Sequence, residues 1–305
     1  MVDNNLFQER VYCPVCSNDK ITHEIDLSMK HPSIKEFQKN ERFYSDKFLN
    51  FYDSNNFPEI NFRISNCNKC KMYFNSLILN NEGMNLLYNE WLDQDKLNEY
   101  YRNLKSDINE KFRIDFLDRY YNKKINVLDF GAGFGNFLKL AKDKNFTLFA
   151  FELSEEKKDY LKNSLGVNVL SDLTSYKNFF HFINLNQVIE HIDEPAALLK
   201  ELVNCLTDDG IIFISSPNCK KTGYLLRQRI FTERLWLQLS PFQHINAFNN
   251  RSLKLIGKKS GFIPFNFIKM LRYLKLSKNE LIFFLKQIYH FFFTTNLYFK
   301  KNKNM

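Results

Sequence analysis

Four of the six cysteines fall in two pairs with the same spacing, CPVC at residues 13–16 and CNKC at residues 67–70. In a reducing compartment, such thiols serve as metal ligands more readily than they form disulfides. Two residues between the cysteines let one tight turn direct both sulfurs at the same ion, and two such turns complete the four-sulfur shell of a structural zinc. We therefore predict a structural Zn²⁺ site formed by Cys13, Cys16, Cys67 and Cys70, with an insertion of 50 residues between the pairs.

Other uses of these thiols fit the sequence less well. A thioredoxin-like redox pair is disfavoured because neither pair follows a strand and opens a helix in a βαβ unit. A catalytic zinc is disfavoured because four sulfur ligands leave no open coordination position. His23 and His31, both in the insertion, remain alternatives as a replacement ligand. The other two thiols, Cys205 and Cys219, have the character of small apolar residues.

A second candidate site is a glycine cluster, because three of the nine glycines of the chain lie within residues 131–135. They follow the apolar strand pattern of Ile125–Phe130, and glycine lets a ligand approach the main chain without a Cβ in the way. The next strand ends at Glu152, 21 residues after Gly131, where a carboxylate can accept hydrogen bonds from two ribose hydroxyls. The pattern predicts a nucleoside cofactor at the carboxyl ends of parallel strands.

The spacing of the glycines narrows the choice of cofactor. Dinucleotide sites carry GxGxxG, whereas this loop is GxGxG and Asn136 occupies the place of the third dinucleotide glycine. Asp129, two residues before the first glycine, suits a ligand with a cationic amino group better than one with a pyrophosphate.

Strand and helix patterns alternate from residue 125 to about 268, which predicts an α/β fold with a mostly parallel sheet covered on both faces. Asp193 is a candidate N-cap for the helix that begins near Pro195. Asn184 interrupts an otherwise apolar strand with a polar side chain. The predicted strands are Ile125–Phe130, Thr147–Glu152, Val167–Leu170, Phe182–Gln187 and Gly210–Ser215, and the helices between them include Phe137–Lys144, Glu155–Leu165 and Pro195–Leu206.

These segments together resemble the class I S-adenosylmethionine-dependent methyltransferases, with the match running from about 120 to 263. VLDFGAGFG at 127–135 looks like the first motif, FAFELS at 149–154 like the second strand and its ribose-binding acid, and NQVIEHIDEP at 186–195 like the fourth-strand motif. The resemblance implies a Rossmann-like core with a seven-stranded, mostly parallel sheet and S-adenosyl-L-methionine as cofactor. The cofactor-binding residues it implies are Asp129, Gly131, Gly133, Gly135, Glu152, Leu153, Asp172, Leu173, Asn186 and Gln187.

The paired cysteines ahead of such a core resemble a subgroup of bacterial methyltransferases with an N-terminal zinc-binding region. Several members act on nucleotide-linked sugars, so the resemblance implies a small-molecule acceptor such as a sugar nucleotide or a glycan or polysaccharide precursor. An imidazole titrates near neutral pH and can take a proton from a hydroxyl. We expect His244 to be the catalytic base, with His191 next, while Glu190 positions a loop; structural roles for both histidines remain alternatives.

The chain of 305 residues is predicted to contain four segments. Residues 1–80 form a small zinc-ribbon-like region with an aromatic-rich insertion. A helical substrate or lid segment spans 81–122, and the S-adenosylmethionine-binding core spans 123–268. Residues 269–305 form a basic, apolar C-terminal helix and a last strand. With 44% apolar and 25% charged residues, the composition predicts a folded protein with a core.

Charge and hydropathy bear on partners and location. The net charge of +9 lies mostly in residues 251–305, where 12 Lys or Arg stand against one acid, Glu280. That stretch supports an alternative reading, a zinc-ribbon nucleic-acid-binding protein whose methyltransferase fold modifies RNA or is inactive. We favour the enzyme without a nucleic-acid partner. Membrane-surface contact through 279–299 is a further, less favoured alternative. The start has no apolar signal region, which predicts a soluble, cytoplasmic protein.

Overall fold

The computed structural model describes residues 6–41, 43–103, 108–265, 272–273 and 295–303. The predicted C-terminal helix falls mostly in 274–294, outside the described residues. The strands are β1 Phe7–Glu9, β2 Ile21–Ser28, β3 Asn61–Cys67, β4 Tyr73–Asn75, β5 Leu77–Leu79, β6 Ile125–Phe130, β7 Phe146–Phe151, β8 Asn168–Leu170, β9 Phe180–Asn186, β10 Leu206–Ser216, β11 Asn246–Ala247, β12 Phe262–Pro264 and β13 Thr295–Lys301. The α-helices are α1 Pro32–Asn40, α2 Asp46–Asp53, α3 Asn81–Leu86, α4 Gln94–Asn103, α5 Ile108–Tyr121, α6 Asn136–Ala141, α7 Glu155–Asp159, α8 Pro195–Cys205, α9 Thr222–Arg227, α10 Glu233–Trp236 and α11 Asn250–Lys259.

The chain divides into two compact units. The first, called here the cysteine unit, comprises Met1–Asn103, Glu190–Asp193 and Pro217–Ser252. The second, called the glycine-loop unit, comprises Leu104–Ile189, Glu194–Ser216 and Leu253–Met305.

The glycine-loop unit contains a seven-stranded sheet in the order β12-β13-β10-β9-β6-β7-β8. The strands β8, β7, β6, β9 and β10 run parallel, and β13 is antiparallel to both β10 and β12. The parallel strands are apolar on both faces, and Val127, Phe182 and Ile212 are each 0% exposed. The predicted α/β class with a seven-stranded, mostly parallel sheet is confirmed.

The predicted strands lie close to the observed ones, and β6 has the predicted bounds. The strand β10 begins at Leu206 rather than at Gly210, and its register against β9 shifts between Leu206 and Ile211. The polar residues 207–209 resemble a turn in the sequence, but the backbone stays extended through this irregularity. The N-cap prediction for Asp193 is wrong. Glu194 occupies the cap position of α8 without a side-chain hydrogen bond.

The cysteine unit contains a four-stranded antiparallel sheet, β11-β4-β3-β2, and a separate pair, β1-β5. The insertion between the cysteine pairs supplies β2, α1, α2 and β3. Its aromatic side chains form a core rather than a surface. The Phe48 ring, 0% exposed, lies 4.5 Å from Tyr44, 5.1 Å from Trp91 and 5.7 Å from Phe242 between centroids. Burying each such ring stabilises the fold by about 1.5–3 kcal/mol.

Across the described ranges, every helix is too short or too polar to cross a membrane.

Candidate cofactor and metal sites

The glycine loop joins the end of β6 to the start of α6. Gly131, Gly133 and Gly135 have φ of 74°, 54° and 66°, in the left-handed region that favours glycine. A Cβ built on Gly133 meets no heavy atom within 4 Å. At Gly133 the loop therefore presents open main chain at the carboxyl edge of the sheet, where a ligand can approach it.

Glu152, directly after β7, holds this loop in place. Its Oε2 accepts the backbone N–H of Gly133 at 2.8 Å. Its Oε1 accepts the N–H groups of Leu153 and Ser154 at 2.8 and 3.0 Å. A carboxylate has about four lone-pair positions, so one remains for a further donor such as a ribose hydroxyl. The structure brings together the predicted ribose acid and the predicted loop.

Asp129 lies beneath the loop in a buried hydrogen-bonded chain. The register of β6 and β9 pairs it with Asn184, which donates its Nδ2 to Asp129 Oδ1 at 2.7 Å. Arg113 Nη1 in turn donates to Asn184 Oδ1 at 2.7 Å, and its guanidinium lies 3.5 Å from the centroid of the Phe213 ring. The polar residue in the fourth strand is thus the link between Arg113 and Asp129.

Burial raises the pKa of Asp129 to about 7, despite the opposing effect of the Asn184 hydrogen bond. The folded chain therefore keeps this proton between about pH 4 and pH 7, while the unfolded chain, with a pKa near 3.8, releases it. Proton linkage then makes the contribution of Asp129 to stability fall as pH rises through this window, with no further change above it.

We expect Asp129→Asn to stabilise the ligand-free chain, because the amide can still accept from Asn184 and carries no charge. The gain in the free energy of unfolding is expected to reach about 1–4 kcal/mol at pH 8 and to vanish near pH 4. Urea unfolding of both proteins at about six pH values between pH 4.5 and pH 8 measures the difference in their free energies of unfolding. A difference that is independent of pH would contradict the assignment.

The remaining predicted cofactor residues lie at or just after the ends of β7, β8 and β9. Leu153 is 76% exposed, whereas Leu173 is 3% exposed. Asp172 accepts the backbone N–H of Thr174 at 2.9 Å, and the Thr174 hydroxyl and amide hold its pKa below the usual range. These side chains follow parallel strands of one sheet, and they therefore lie along its carboxyl edge.

The end of β9 is tied to β10. Asn186 pairs with Ser215 in the register of the two strands. Gln187 follows with a φ of 56°, and both its backbone N–H and its Nε2 donate to Ser215, each at 3.0 Å. The strained backbone and the two bonds fix the direction in which the chain leaves the sheet.

Gly135, the N-cap of α6, is expected to be intolerant of a side chain. A Cβ there would lie 2.7 Å from Leu161 Cδ2 and 2.8 Å from Leu165 Cδ1. Gly166 has a similar φ, +67°, but no heavy atom within 4 Å. Gly166→Ala should cost about 1 kcal/mol of backbone strain, and Gly135→Ala about 1–2 kcal/mol more for crowding. Urea unfolding of the two variants measures this, and equal losses would show that crowding contributes nothing.

The four paired cysteines converge in the cysteine unit. All are buried, and their sulfurs lie within 4.8 Å of one another. The Sγ separations are 3.4 Å for Cys13–Cys70 and 3.5 Å for Cys16–Cys67, too long for a disulfide at about 2.05 Å. Zn–S bonds of about 2.3 Å place the sulfurs of a tetrahedral site about 3.8 Å apart. The donor set and its spacing fit a structural zinc.

Both cysteine pairs form the same turn. The N–H of Ser17 donates to Cys13 O at 2.9 Å, and the N–H of Lys71 donates to Cys67 O at 2.9 Å. Ser17 and Lys71 have φ of 55° and 62°. A hydrogen bond from Cys70 lowers the pKa of the Cys13 thiol, so one of the four is already disposed to lose its proton. Two equivalent turns at corresponding positions are the arrangement predicted for two zinc-binding knuckles.

The two histidines predicted as bases also come together in the cysteine unit. The rings of His191 and His244 lie 4.7 Å apart between centroids, at 69°. Burial lowers the pKa of His191 to about 3, with a further contribution from His244, and burial also lowers the pKa of His244. Both imidazoles are therefore neutral at pH 7. Glu190, predicted to position a loop, accepts the N–H of Ile245 at its backbone O at 3.0 Å, and its two carboxyl oxygens have no hydrogen-bond partner among the described residues.

Sequence reasoning missed Arg113 and the side chain of Glu190. A polar residue inside an apolar strand requires a buried partner, so Asn184 was the signal that pointed to Arg113. Glu190, in the VIEH segment of residues 188–191, has no sequence pattern that predicts its burial, because that burial depends on chain segments distant in sequence.

Comparison with known proteins gives a consistent picture. A family model described as a methyltransferase domain matches residues 99–263, more than half of the chain. The plantazolicin methyltransferase BpumL, solved with a triazolic desmethylPZN analog and SAH, is 14% identical and has a TM-score of 0.51, covering 72% of this chain and 94% of that chain. The plantazolicin methyltransferase BamL, also solved with a triazolic analog and SAH, is 14% identical with a TM-score of 0.50, covering 73% and 95%. At this identity the likeness shows the fold. No curated protein matches the chain.

Proposed function

Because this chain belongs to the methyltransferase domain family, we propose that it transfers the methyl group of S-adenosylmethionine to a small-molecule acceptor. The observation that carries the proposal is the hydrogen bond from Gly133 N to Glu152 Oε2. It joins an open glycine loop to a carboxylate at the end of the next parallel strand, which is the arrangement that binds a nucleoside cofactor.

Each residue of the carboxyl edge has a proposed part in holding the cofactor. Glu152 accepts hydrogen bonds from the ribose, and Asp129 faces the cationic amino group. Leu153, Asp172 and Leu173 flank the adenine, while Asn186 and Gln187 line the sulfonium end. The bound cofactor supplies an electrophilic methyl carbon on its sulfonium. The chain must then align the acceptor with this carbon, exclude water and remove the acceptor's proton.

The proposed role of Asp129 gives Asp129→Asn two opposite effects. The substitution should stabilise the ligand-free chain, as argued above, and weaken S-adenosylmethionine binding about 10-fold or more through loss of a charge-assisted contact. A functional carboxylate that costs stability when no ligand is bound accounts for both results. Isothermal titration calorimetry at pH 7.5 measures the affinity of each protein for S-adenosylmethionine. The unfolding series measures the stability of the same two proteins.

For the proton we propose His244 as the acceptor, with His191 next. Neutral imidazoles, as burial makes both of these, have a lone pair available at pH 7. In His244 the Nδ1 lies 2.5 Å from Leu237 O and donates to it, which leaves Nε2 as the nitrogen that can accept a proton.

The acceptor we favour is a nucleotide-linked sugar or a glycan precursor, on the resemblance of the paired cysteines to the zinc-binding methyltransferase subgroup. The four cysteines would hold a structural zinc that fixes the two knuckles and takes no part in catalysis. A second candidate acceptor is a peptide-derived azole compound, since BpumL and BamL were solved with desmethylPZN analogs.

The experiment is a screen of nucleotide sugars and azole peptides with the full-length chain and S-adenosylmethionine. Release of S-adenosylhomocysteine that depends on an acceptor, with a mass gain of one methyl group on that acceptor, is the expected result. Activity only with azole peptides would replace the sugar proposal and leave methyl transfer intact. Cofactor binding without turnover of either class would refute both acceptor proposals.

A further inference from the structure

A second group of potential metal ligands lies in the cysteine unit apart from the four cysteines. It consists of Glu190, His191 and His244, each of which offers one ligand atom, and these atoms lie within 4.8 Å of one another. Glu190 and His191 belong to the VIEH segment, residues 188–191, and His244 belongs to a later segment. A hydrogen bond from Ile245 N to Glu190 O at 3.0 Å joins the two segments.

Glu190 has a side chain that the surrounding protein does not satisfy. It is 0% exposed, and neither Oε1 nor Oε2 has a hydrogen-bond partner within the described ranges of the chain. Burying a carboxyl group without partners costs several kcal/mol unless it is neutralised or bound by a cation. A group of this kind calls for a ligand that supplies positive charge.

The two imidazoles are oriented as metal-bound histidines are. His244 Nδ1 is bonded to Leu237 O, which directs the lone pair to Nε2. The His191 ring is hydrogen-bonded to the backbone of Gln243, while its buried Nδ1 has no partner in the described part of the protein. Each ring thus has one nitrogen fixed by the main chain and one lone pair available. A backbone carbonyl on the opposite nitrogen is the usual outer contact of a histidine that binds a metal.

The spacing favours an ion over a direct contact between these side chains. No hydrogen bond joins Glu190 to either imidazole, so the group does not satisfy itself. Metal–ligand bonds of about 2.0–2.2 Å place the ligand atoms of one ion about 3.0–3.5 Å apart. The three ligand atoms lie within 4.8 Å of one another, so an ion between them requires them to approach by about 1–2 Å at most.

We propose that Glu190, His191 and His244 together bind one divalent transition-metal cation, at a site distinct from the four cysteines. Two imidazole nitrogens and one carboxylate oxygen are a donor set suited to Zn²⁺, Mn²⁺, Co²⁺ and Fe²⁺. Three protein ligands leave coordination positions open to water or to an oxygen of a small molecule. The proposal does not depend on the methyltransferase assignment. Metal binding and the proton-acceptor role proposed above for His244 exclude each other, because a lone pair bonded to a cation cannot accept a proton.

The test uses Mn²⁺ alone as the probe, because a hard cation avoids thiolates and reports only on nitrogen and oxygen donors. The full-length chain is freed of weakly held metal by a chelator and titrated with Mn²⁺ while the EPR signal of the free ion is recorded. Glu190→Gln keeps the shape of the side chain, and His244→Asn removes one imidazole. His23→Gln is the control, since His23 is an exposed histidine of the same unit, bonded to Ser65 Oγ at 2.7 Å.

We expect one Mn²⁺ per chain, coupling to two imidazole nitrogens in pulsed EPR, and affinity at least about 100-fold lower in Glu190→Gln and His244→Asn but unchanged in His23→Gln. Circular dichroism of every variant shows whether it is folded. Absence of Mn²⁺ binding to the folded wild-type chain would overturn the proposal, as would binding that both substitutions leave unchanged. S-adenosylmethionine binding, measured on the same samples, reports separately on the proposed function.

Discussion

Gly133→Leu is expected to weaken binding of S-adenosylmethionine at least about 100-fold, a loss of about 2.7 kcal/mol. The Cβ of residue 133 projects into space with no heavy atom within 4 Å. In the proposed complex, this space belongs to the cofactor, so a leucine side chain and the cofactor compete for it. The residue also donates its N–H to Glu152 at 2.8 Å, and a shift of the loop would disturb that bond as well.

Gly166→Leu is the matched control. Its φ of +67° imposes similar backbone strain to the +54° of Gly133, and its Cβ likewise meets nothing within 4 Å. Both variants should lose a similar small amount of stability, about 1 kcal/mol, and only Gly133→Leu should lose the cofactor. Calorimetric titration of the three proteins separates strain from steric exclusion. Equal affinity in all three would mean that the cofactor does not approach the loop.

Cys67→Ser is expected to lower the zinc content by one ion per chain and to unfold the cysteine unit. Cys67 is 0% exposed, and it lies 3.5 Å from Cys16 between sulfurs. Structural zinc contributes about 10–16 kcal/mol of apparent free energy in small zinc-binding domains, whereas whole domains are stable by only about 5–15 kcal/mol. The free energy lost with the ion should therefore exceed the stability that the aromatic core gives to this unit, and the unit should unfold.

The control for this effect is Cys219→Ser. Cys219 is another buried thiol of the same unit, 4% exposed, and it lies outside the two pairs. Zinc released by a mercurial reagent and measured with a colorimetric chelator should fall in Cys67→Ser and stay at the wild-type level in Cys219→Ser. Near-ultraviolet circular dichroism should show loss of aromatic packing in Cys67→Ser alone. A folded Cys67→Ser chain with unchanged zinc content would exclude the four-sulfur site.

The sequence predicted those features that depend on local pattern. Apolar runs such as Ile125–Phe130 identify buried parallel strands, because both faces of such a strand are covered. The glycine loop and Glu152 follow, since residues after parallel strands share one edge of the sheet. The cysteine pairs could also be predicted from the sequence, because each pair is a local turn with fixed spacing.

Features that depend on tertiary contacts were not predicted. The chain Arg113–Asn184–Asp129 joins a helix to two strands, and no spacing rule relates these positions. The side chain of Glu190 is 0% exposed, and Ile245, in the later segment that carries His244, donates to the backbone O of Glu190. The Asp193 cap was wrong for the same reason, since Gln8, far away in sequence, donates to the Asp193 carboxylate at 2.8 Å. Long-range partners override local capping preference in this case.

The most direct test of the central claim is native mass spectrometry of the full-length chain soaked with S-adenosylhomocysteine. We predict a single adduct with the mass of one S-adenosylhomocysteine per chain, lost on denaturation and absent from Gly133→Leu. If the folded wild-type chain forms no such adduct at millimolar ligand, its binding free energy is weaker than about 4 kcal/mol. That result would contradict the assignment of this glycine loop to a methyl-donor cofactor.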